Sequence, residues 1–164
     1  MKQIIFGLMM ATFAMHSAAM NHHEHQKHSH QPSHFETITV DGITLTNFRA
    51  RASIGQMKNS GAYGDIRSVD DDYLIEVSSP VARIIELHEH IHDNGVMRMR
   101  EVEGGFALAA DETMVMKPGG YHIMLIGLVE PLKDGTSIDL KLKFKSGKTI
   151  DVSVPVVSVK KMHH

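Results

Sequence analysis

The chain has 164 residues, which is enough for one domain with short extensions. It contains no cysteine and no tryptophan, and its formal net charge is −2. Since no disulfide can form and no Lys/Arg patch is concentrated, the composition excludes a disulfide-stapled scaffold and gives no support for nucleic-acid binding.

Residues 1–19 have the pattern of a secretory signal peptide. Lys2 supplies the positive charge, an apolar stretch follows over 4–14, and Ser17-Ala18-Ala19 forms a small-residue cleavage site. The apolar stretch is shorter than the roughly 20 residues that a membrane span needs, although an uncleaved anchor is the alternative. We therefore expect a periplasmic protein with no membrane insertion after signal cleavage.

Residues 20–35 form a low-complexity, histidine-rich segment without apolar periodicity, which predicts a disordered arm. Clustered imidazoles bind Cu(II), Zn(II) and Ni(II) well. The arm is thus a candidate for loading or buffering metal, with Cu(II) as the expected ion, and a plain spacer is the alternative. Its auxiliary ligands would be His22, His23, His25, His28, His30 and His34.

Residues 36–157 have the pattern of an all-β domain, followed by a polar tail over 158–164. Short β-branched or apolar runs are separated by turn signals such as Asp41-Gly42, Asn94-Gly95 and Ser146-Gly147. Many short strands without long amphipathic helices predict a sandwich or barrel. The predicted strands are 37–40, 43–46, 62–66, 73–77, 82–89, 97–102, 113–116, 121–128, 137–144 and 149–156.

Four side chains stand out as candidate metal ligands: His88, Met99, His122 and Met124. Thioether sulfur is a soft, neutral donor, and imidazole is borderline. Two of each without any thiolate favour Cu(I) over Zn(II), Ca(II) or Mg(II). The pattern indicates metal handling rather than chemistry on an organic substrate.

Strand periodicity predicts how these side chains meet. Residues two apart in a strand share a face, so His122 and Met124 should project together, with Ile123 on the opposite face. The Asn94-Gly95 turn should fold the strand at 82–90 back against that at 97–102, which would bring His88 toward Met99.

Several segments together resemble the periplasmic copper chaperone family PCuAC. The similarity covers roughly residues 36–157 and is strongest over 78–135. The segments are Ser78-Ser79-Pro80-Val81-Ala82, Glu86-Leu87-His88-Glu89, Gly95-Val96-Met97-Arg98-Met99-Arg100, Val102-Glu103-Gly104, Lys117-Pro118-Gly119-Gly120-Tyr121-His122-Ile123-Met124-Leu125 and Pro131-Leu132-Lys133-Asp134-Gly135.

The resemblance implies a cupredoxin-like or immunoglobulin-like β-sandwich that binds one Cu(I) and passes copper toward the CuA centre of cytochrome c oxidase. Its ligands fall on His88, Met99, His122 and Met124. The spacing from Met99 to His122 is one residue longer than the family usually has, and we place the extra residue in the 105–112 loop. The family often has Met where this chain has His90, so His90 is a possible auxiliary ligand. The early strand at 62–66 matches the family only loosely.

Other methionines and histidines on the strands have plainer interpretations. Methionine on a strand usually fills the core, and we expect this of Met97, Met114 and Met116. We expect His92 to be simply exposed, and His90 to be either a ligand or an exposed polar residue.

We expect a carrier rather than an enzyme. A blue-copper electron carrier needs a cysteine ligand, which this chain lacks. A copper enzyme would need an open substrate position, and a saturated His/Met site leaves little room for one. The expected partner is a thiol-bearing copper acceptor or the CuA-bearing oxidase subunit, and the protein would be a monomer or a metal-linked dimer. The alternative function is metal sequestration through the arm.

Overall fold

The computed structural model describes residues 36–163, apart from the side chains of residues 161 and 163. The predicted signal peptide and the histidine-rich arm, with all six of its histidines, lie outside the described residues. Within residues 36–163, no helix is long and apolar enough to cross a membrane.

The described part of the chain consists of eleven strands and a C-terminal 3-10 helix, so the all-β prediction is confirmed. The strands are β1 (Ile38–Val40), β2 (Ile43–Arg51), β3 (Asn59–Ser68), β4 (Asp72–Ser78), β5 (Ala82–Asp93), β6 (Val96–Glu101), β7 (Phe106–Leu108), β8 (Thr113–Met116), β9 (His122–Leu128), β10 (Ser137–Phe144) and β11 (Thr149–Val157). The helix spans Val159–His163.

The strands form a sandwich, as predicted. One sheet contains β6, β5, β9, β3 and β2 in that order, with β1 paired to β2 and β8 to β3. The other contains β11, β10, β4 and β7. A short parallel pairing of β2 with β11, at Ala50 and Val156, joins the two.

Alternation along the strands builds one shared core. In β10, the residues Ile138, Leu140, Leu142 and Phe144 are buried, and the residues between them are exposed. In β9, Ile123 and Leu125 face the same core. Because side chains alternate, His122, Met124 and Ile126 lie on the opposite face of their sheet, and the alternation ends at Gly127, after which Leu128 joins the core. That outer face carries the candidate ligands.

Two hairpin turns follow the chemistry of their sequences. Asp41-Gly42 and Asn94-Gly95 each place two consecutive residues at positive φ, at 49° and 79° and at 50° and 80° respectively. This is the backbone of a type I′ turn, whose twist matches that of the strands it joins. The predicted fold-back of β6 on β5 is therefore confirmed.

Three differences from the predicted elements stand out. β7 was not predicted, because a three-residue strand is too short to display a period. β2 continues to Arg51 across a bulge near Asn47, whose φ is 57°, and the bulge resets the alternation so that Phe48 and Ala50 face the core. The segment predicted as a polar tail contains the 3-10 helix, which buries Met162 against Tyr63 and Val157.

Candidate metal site

The candidate ligands lie on the outer face of neighbouring strands in one sheet. β5 is central, with β6 on one side and β9 on the other. His88 of β5 is directly opposite His122 of β9, and Glu86 is opposite Met124. On the other side, His90 is opposite Met99 of β6. The structure thus brings the four predicted ligands and His90 to one face.

The register adds a detail that the predicted arrangement leaves open. β6 brings Met99 toward His88 as predicted, but the residue directly opposite His88 is Glu101, and the residue directly opposite Met99 is His90. Met99 is therefore a diagonal neighbour of His88 on the same face. Its side chain is 54% exposed at the edge of the sheet, whereas Met124 is half-buried.

His122 is the most enclosed of the candidates, with only 3% of its surface exposed. Its ring lies 5.7 Å from that of His88, 5.1 Å from that of His90 and 6.2 Å from that of Tyr63, measured between centroids. Its Nδ1–H donates to the carbonyl oxygen of Gly120 at 3.0 Å, which leaves the lone pair of Nε2 available to a metal ion.

Burial lowers the pKa of His122. The Gly120 carbonyl opposes this shift, and the neighbouring His90, His88 and Arg51 reinforce it. A lowered pKa keeps the imidazole neutral to more acidic pH. Neutral imidazole is the form that binds metal.

His88 has one nitrogen engaged and the other without a partner. Nε2 lies 2.7 Å from a carboxylate oxygen of Glu86, to which its N–H donates. Nδ1 is buried and has no hydrogen-bond partner. A buried polar atom without a partner lowers the stability of a protein. The Nδ1 lone pair of His88 therefore suits a metal ion, which would give this nitrogen the partner that it lacks.

The Tyr63 ring lies near that of His122, and the charge of Arg51 acts on His122; no pattern in the sequence predicted either neighbour. Tyr63 is buried, and burial raises its pKa, while the charges of Arg51 and Arg49 act in the opposite direction. Neither residue type is a habitual copper ligand, so a search for metal-ligand spacing passes over them. Tyr63 instead closes one side of the face next to His122.

Donor chemistry limits what this face can bind. Among residues 36–163, no group of three or more His, Cys, Asp or Glu is placed to hold a metal ion as it stands. A site for a hard cation such as Ca(II) or Mg(II) would need such a group of oxygens. The face instead combines imidazole nitrogen with thioether sulfur, which suits a soft monovalent metal ion.

The other histidines and methionines on the strands divide as follows. Met116 is buried and Met114 is partly buried against the core, as expected. Met97 is 48% exposed, so its predicted place in the core is wrong. It lies on the exposed edge strand β6, opposite His92, which is exposed as expected.

Comparison with known proteins places the chain in a family. The family model described as "Putative lipoprotein LpqE-like" matches residues 43–156. "Putative lipoprotein Lxx21020" of Leifsonia xyli subsp. xyli is 36% identical over 119 residues, covering 71% of this chain and 70% of that protein. "Uncharacterized protein RP573" of Rickettsia prowazekii is 30% identical over 106 residues, covering 63% and 59% respectively.

Solved structures share the fold. The copper-bound PCuAC domain from PmoF2 has a TM-score of 0.62 at 19% identity, covering 75% of this chain and 98% of that domain. The Cu(I) form of DR1885 from Deinococcus radiodurans has a TM-score of 0.56 at 27% identity, covering 67% and 74% respectively. The resemblance predicted from the sequence is therefore confirmed: the chain belongs to the LpqE-like family and has the fold of PCuAC domains.

Proposed function

We propose that this protein is a periplasmic copper chaperone that binds Cu(I) through His88, Met99, His122 and Met124. Copper is its cargo, and the protein acts as a carrier rather than an enzyme. The observation that carries the proposal is the buried, unpartnered Nδ1 of His88, which lies on the same face as His122 and two thioethers. The copper-bound PCuAC domain from PmoF2 and the Cu(I) form of DR1885 support it through their shared fold.

The charge of the donor set favours the monovalent ion. Imidazole and thioether are both neutral ligands. They offset none of the charge of the bound ion, which favours Cu(I), with one positive charge, over a divalent ion with two. Binding also releases few protons, because neither group has to be deprotonated near neutral pH. Thiolate is a stronger donor to Cu(I), so a partner that presents cysteines can remove the ion.

The exposed edge of the site suits transfer to such a partner. Met99 lies on β6, all of whose residues are exposed, while His122 is enclosed. An incoming thiolate would thus displace Met99 first, and His122 would release the ion last. We propose that the acceptor is a thiol-containing assembly protein or the CuA-bearing subunit of cytochrome c oxidase, and that the carrier is a monomer or a metal-linked dimer.

The proposed location rests on the signal-peptide pattern of residues 1–19 and on relatives named as lipoproteins. Both are typical of exported proteins. Cell fractionation tests this directly, since the processed protein should be released together with periplasmic markers.

X-ray absorption at the copper edge tests the ligand set. The sample is the full chain with its six arm histidines replaced by serine, purified as the cell processes it and loaded with Cu(I). We expect a shell with both sulfur and nitrogen. Met99→Ala combined with Met124→Ala should remove the sulfur and weaken Cu(I) binding at least about 10-fold in competition with a Cu(I) chelator.

Met97→Ala is the matched control, because Met97 lies on the same strand and face as Met99 and is similarly exposed, at 48% against 54%. It should leave both the sulfur shell and the affinity unchanged. A copper shell of nitrogen alone in the parent protein, or no tight Cu(I) binding, would contradict the proposal.

Metal sequestration through the arm is the second candidate, favoured by the six histidines between positions 22 and 34. The two functions separate in cells that are challenged with copper. If the arm protects the cell, replacing its histidines should remove copper tolerance while copper delivery to the oxidase continues. If the core site is the functional one, the Met99 and Met124 replacements should reduce oxidase activity and leave tolerance intact.

A further inference from the structure

A third imidazole shares the face with His88 and His122. His90 is half-buried on β5, and its ring centroid lies 5.1 Å from that of His122, closer than that of His88 at 5.7 Å. Its Nδ1 lies 3.3 Å from the Gly120 carbonyl, the same oxygen that accepts from His122 Nδ1. The Gly120 carbonyl, in the turn before β9, thus serves as a single hydrogen-bond acceptor for the rings of both His90 and His122.

These contacts determine which nitrogen of each ring is available. With Nδ1–H donating to Gly120, His90 and His122 each keep a lone pair on Nε2. His88 is reversed, because its Nε2–H is held by Glu86 and its Nδ1 has no partner. Each of the three rings therefore has one nitrogen held by an oxygen and the other free for a metal, which is the usual arrangement of metal-binding histidines.

The separations of the His122 ring from the other two rings also fit a common metal ion. Nitrogen–metal bonds of about 2.0–2.1 Å put the centroids of two imidazoles on one ion roughly 5 Å apart. Since the three rings do not already surround one point, binding requires them to turn inward on their side-chain torsions. The backbone register already places them on adjacent strands.

We infer that His88, His90 and His122 form a nitrogen site for Cu(II) that overlaps the Cu(I) site of the proposed function, on which this inference rests. Imidazole is a better donor to Cu(II) than thioether, which is soft. Met99 lies directly across from His90, so the two can serve as alternative ligands at one edge of the site. The same face then holds copper in either oxidation state, with His90 specific to Cu(II).

Electron paramagnetic resonance of Cu(II)-loaded protein tests this inference. The sample is the full chain with the six arm histidines, His163 and His164 replaced by serine, so that the strands supply the remaining imidazoles of the processed protein. We expect hyperfine coupling to three nitrogens. His90→Ala should reduce this to two and weaken Cu(II) binding about 10-fold or more, while Cu(I) binding changes less than about 3-fold.

Two further variants keep the test decisive. His92→Ala is the matched control, because His92 is an exposed histidine on the same face of β5 and should leave the Cu(II) spectrum unchanged. His90→Gln retains a polar side chain of similar length and should also lose one nitrogen. Circular dichroism establishes that each variant is folded.

The outcomes distinguish this inference from the proposed function. Absence of tight Cu(I) binding in the parent sample would overturn the proposed function. Tight Cu(I) binding together with a Cu(II) spectrum that His90→Ala leaves unchanged would overturn only the role of His90. An equal loss of affinity for both ions would also overturn it, because His90 would then support the site as a whole.

Discussion

The carbonyl oxygen of Gly120 organises much of the site, because it lies within reach of both His90 and His122. No side-chain signature marks it, since any residue has a carbonyl. The candidate ligands were predictable from residue type and spacing, but the hydrogen bonds that choose between their ring nitrogens were not. The hydrogen bond between His88 and Glu86 is a partial exception, because residues two apart in a strand lie on the same face and their proximity is predictable.

Gly61 makes room for the tyrosine that closes the site. A Cβ at this position would lie 2.9 Å from the hydroxyl oxygen of Tyr63 and 3.2 Å from its Cζ. We expect Gly61→Ala to displace the Tyr63 ring and to lower the free energy of unfolding by about 1–2 kcal/mol, measured by urea denaturation. Gly120→Ala is the control, since its Cβ would meet nothing closer than Lys117 at 3.5 Å. Equal stability of the two variants would contradict this explanation.

Asp72 forms a buried hydrogen-bonded group in the sheet that lacks the candidate ligands. Its carboxylate accepts from the Ser146 hydroxyl at 2.6 Å, from the Ser146 N–H at 3.0 Å and from the Tyr73 N–H at 2.8 Å. Desolvation alone would raise its pKa, but these hydrogen bonds outweigh that effect and the pKa is lowered. The resulting stabilisation is fully present above the ordinary Asp pKa of about 3.9, and is lost as the pH falls through the lowered value.

Replacing Ser146 by alanine should reveal this pH dependence. We expect Ser146→Ala to lose about 1–2 kcal/mol of unfolding free energy at pH 7, and the difference from the parent protein to shrink below about pH 4. Urea denaturation at several pH values measures both. Ser137→Ala, at an exposed position in β10, is the control. A difference that persists unchanged at low pH would show that the Ser146 hydroxyl does not act through the charged carboxylate.

At the scale of elements, the β5–β6 hairpin delivers Met99 to the site. Every residue of β6 is exposed, and within the described residues this strand pairs only with β5. Its register therefore depends on the Asn94-Gly95 turn together with the β5–β6 ladder and the Arg100–Glu89 ion pair that crosses it. The sequence predicted this turn because Asn-Gly is the commonest type I′ pair. It did not predict that Met99 would face His90, since strand alternation fixes the face but not the partner.

Gly95→Ala tests the dependence of the site on this turn. A side chain at φ 80° is strained, so we expect a loss of about 1 kcal/mol, faster amide exchange in β6 and weaker Cu(I) binding. Gly147→Ala is matched to it, because Gly147 has φ 89°, open surroundings and a place in the β10–β11 turn of the other sheet. That variant should lose similar stability while its Cu(I) affinity stays unchanged. Equal losses of Cu(I) affinity would argue against a local role for the hairpin.

Over the whole of residues 36–163, the fold class followed from the sequence more securely than the boundaries of its elements. Alternation runs through β10 and through β11 as far as Val156, so both were predicted almost to the residue. β3 was predicted at half its length, because Asn59, Ser60 and Gly61 carry no β signal and are held by pairing with β9. Met162 looked like part of a polar tail, because its burial depends on the distant Tyr63.

Copper binding should stabilise the whole described domain, because the unfolded chain does not hold the four proposed ligands together. Free Cu(I), buffered at about 100 times its dissociation constant, should add about 2.7 kcal/mol to the free energy of unfolding. Thermal unfolding under reducing, anaerobic conditions measures this. The Met99→Ala and Met124→Ala double variant should gain much less at the same copper activity. Equal stabilisation of both proteins would place the bound copper elsewhere.

The neutrality of the donors also determines how a loaded molecule differs from an empty one. Because the proposed ligands His88, Met99, His122 and Met124 bring no negative charge, a bound Cu(I) would add one positive charge to this face, where the Glu86 carboxylate pairs with His88 and the charge of Arg51 acts on His122. An acidic or thiolate-bearing acceptor would then be attracted more strongly to the copper-loaded carrier than to the empty one. This preference decreases as the ionic strength rises, because salt screens the charges. The bound copper would thus increase the rate at which the carrier meets its acceptor. Once copper has been transferred, the complex between carrier and acceptor would be weaker.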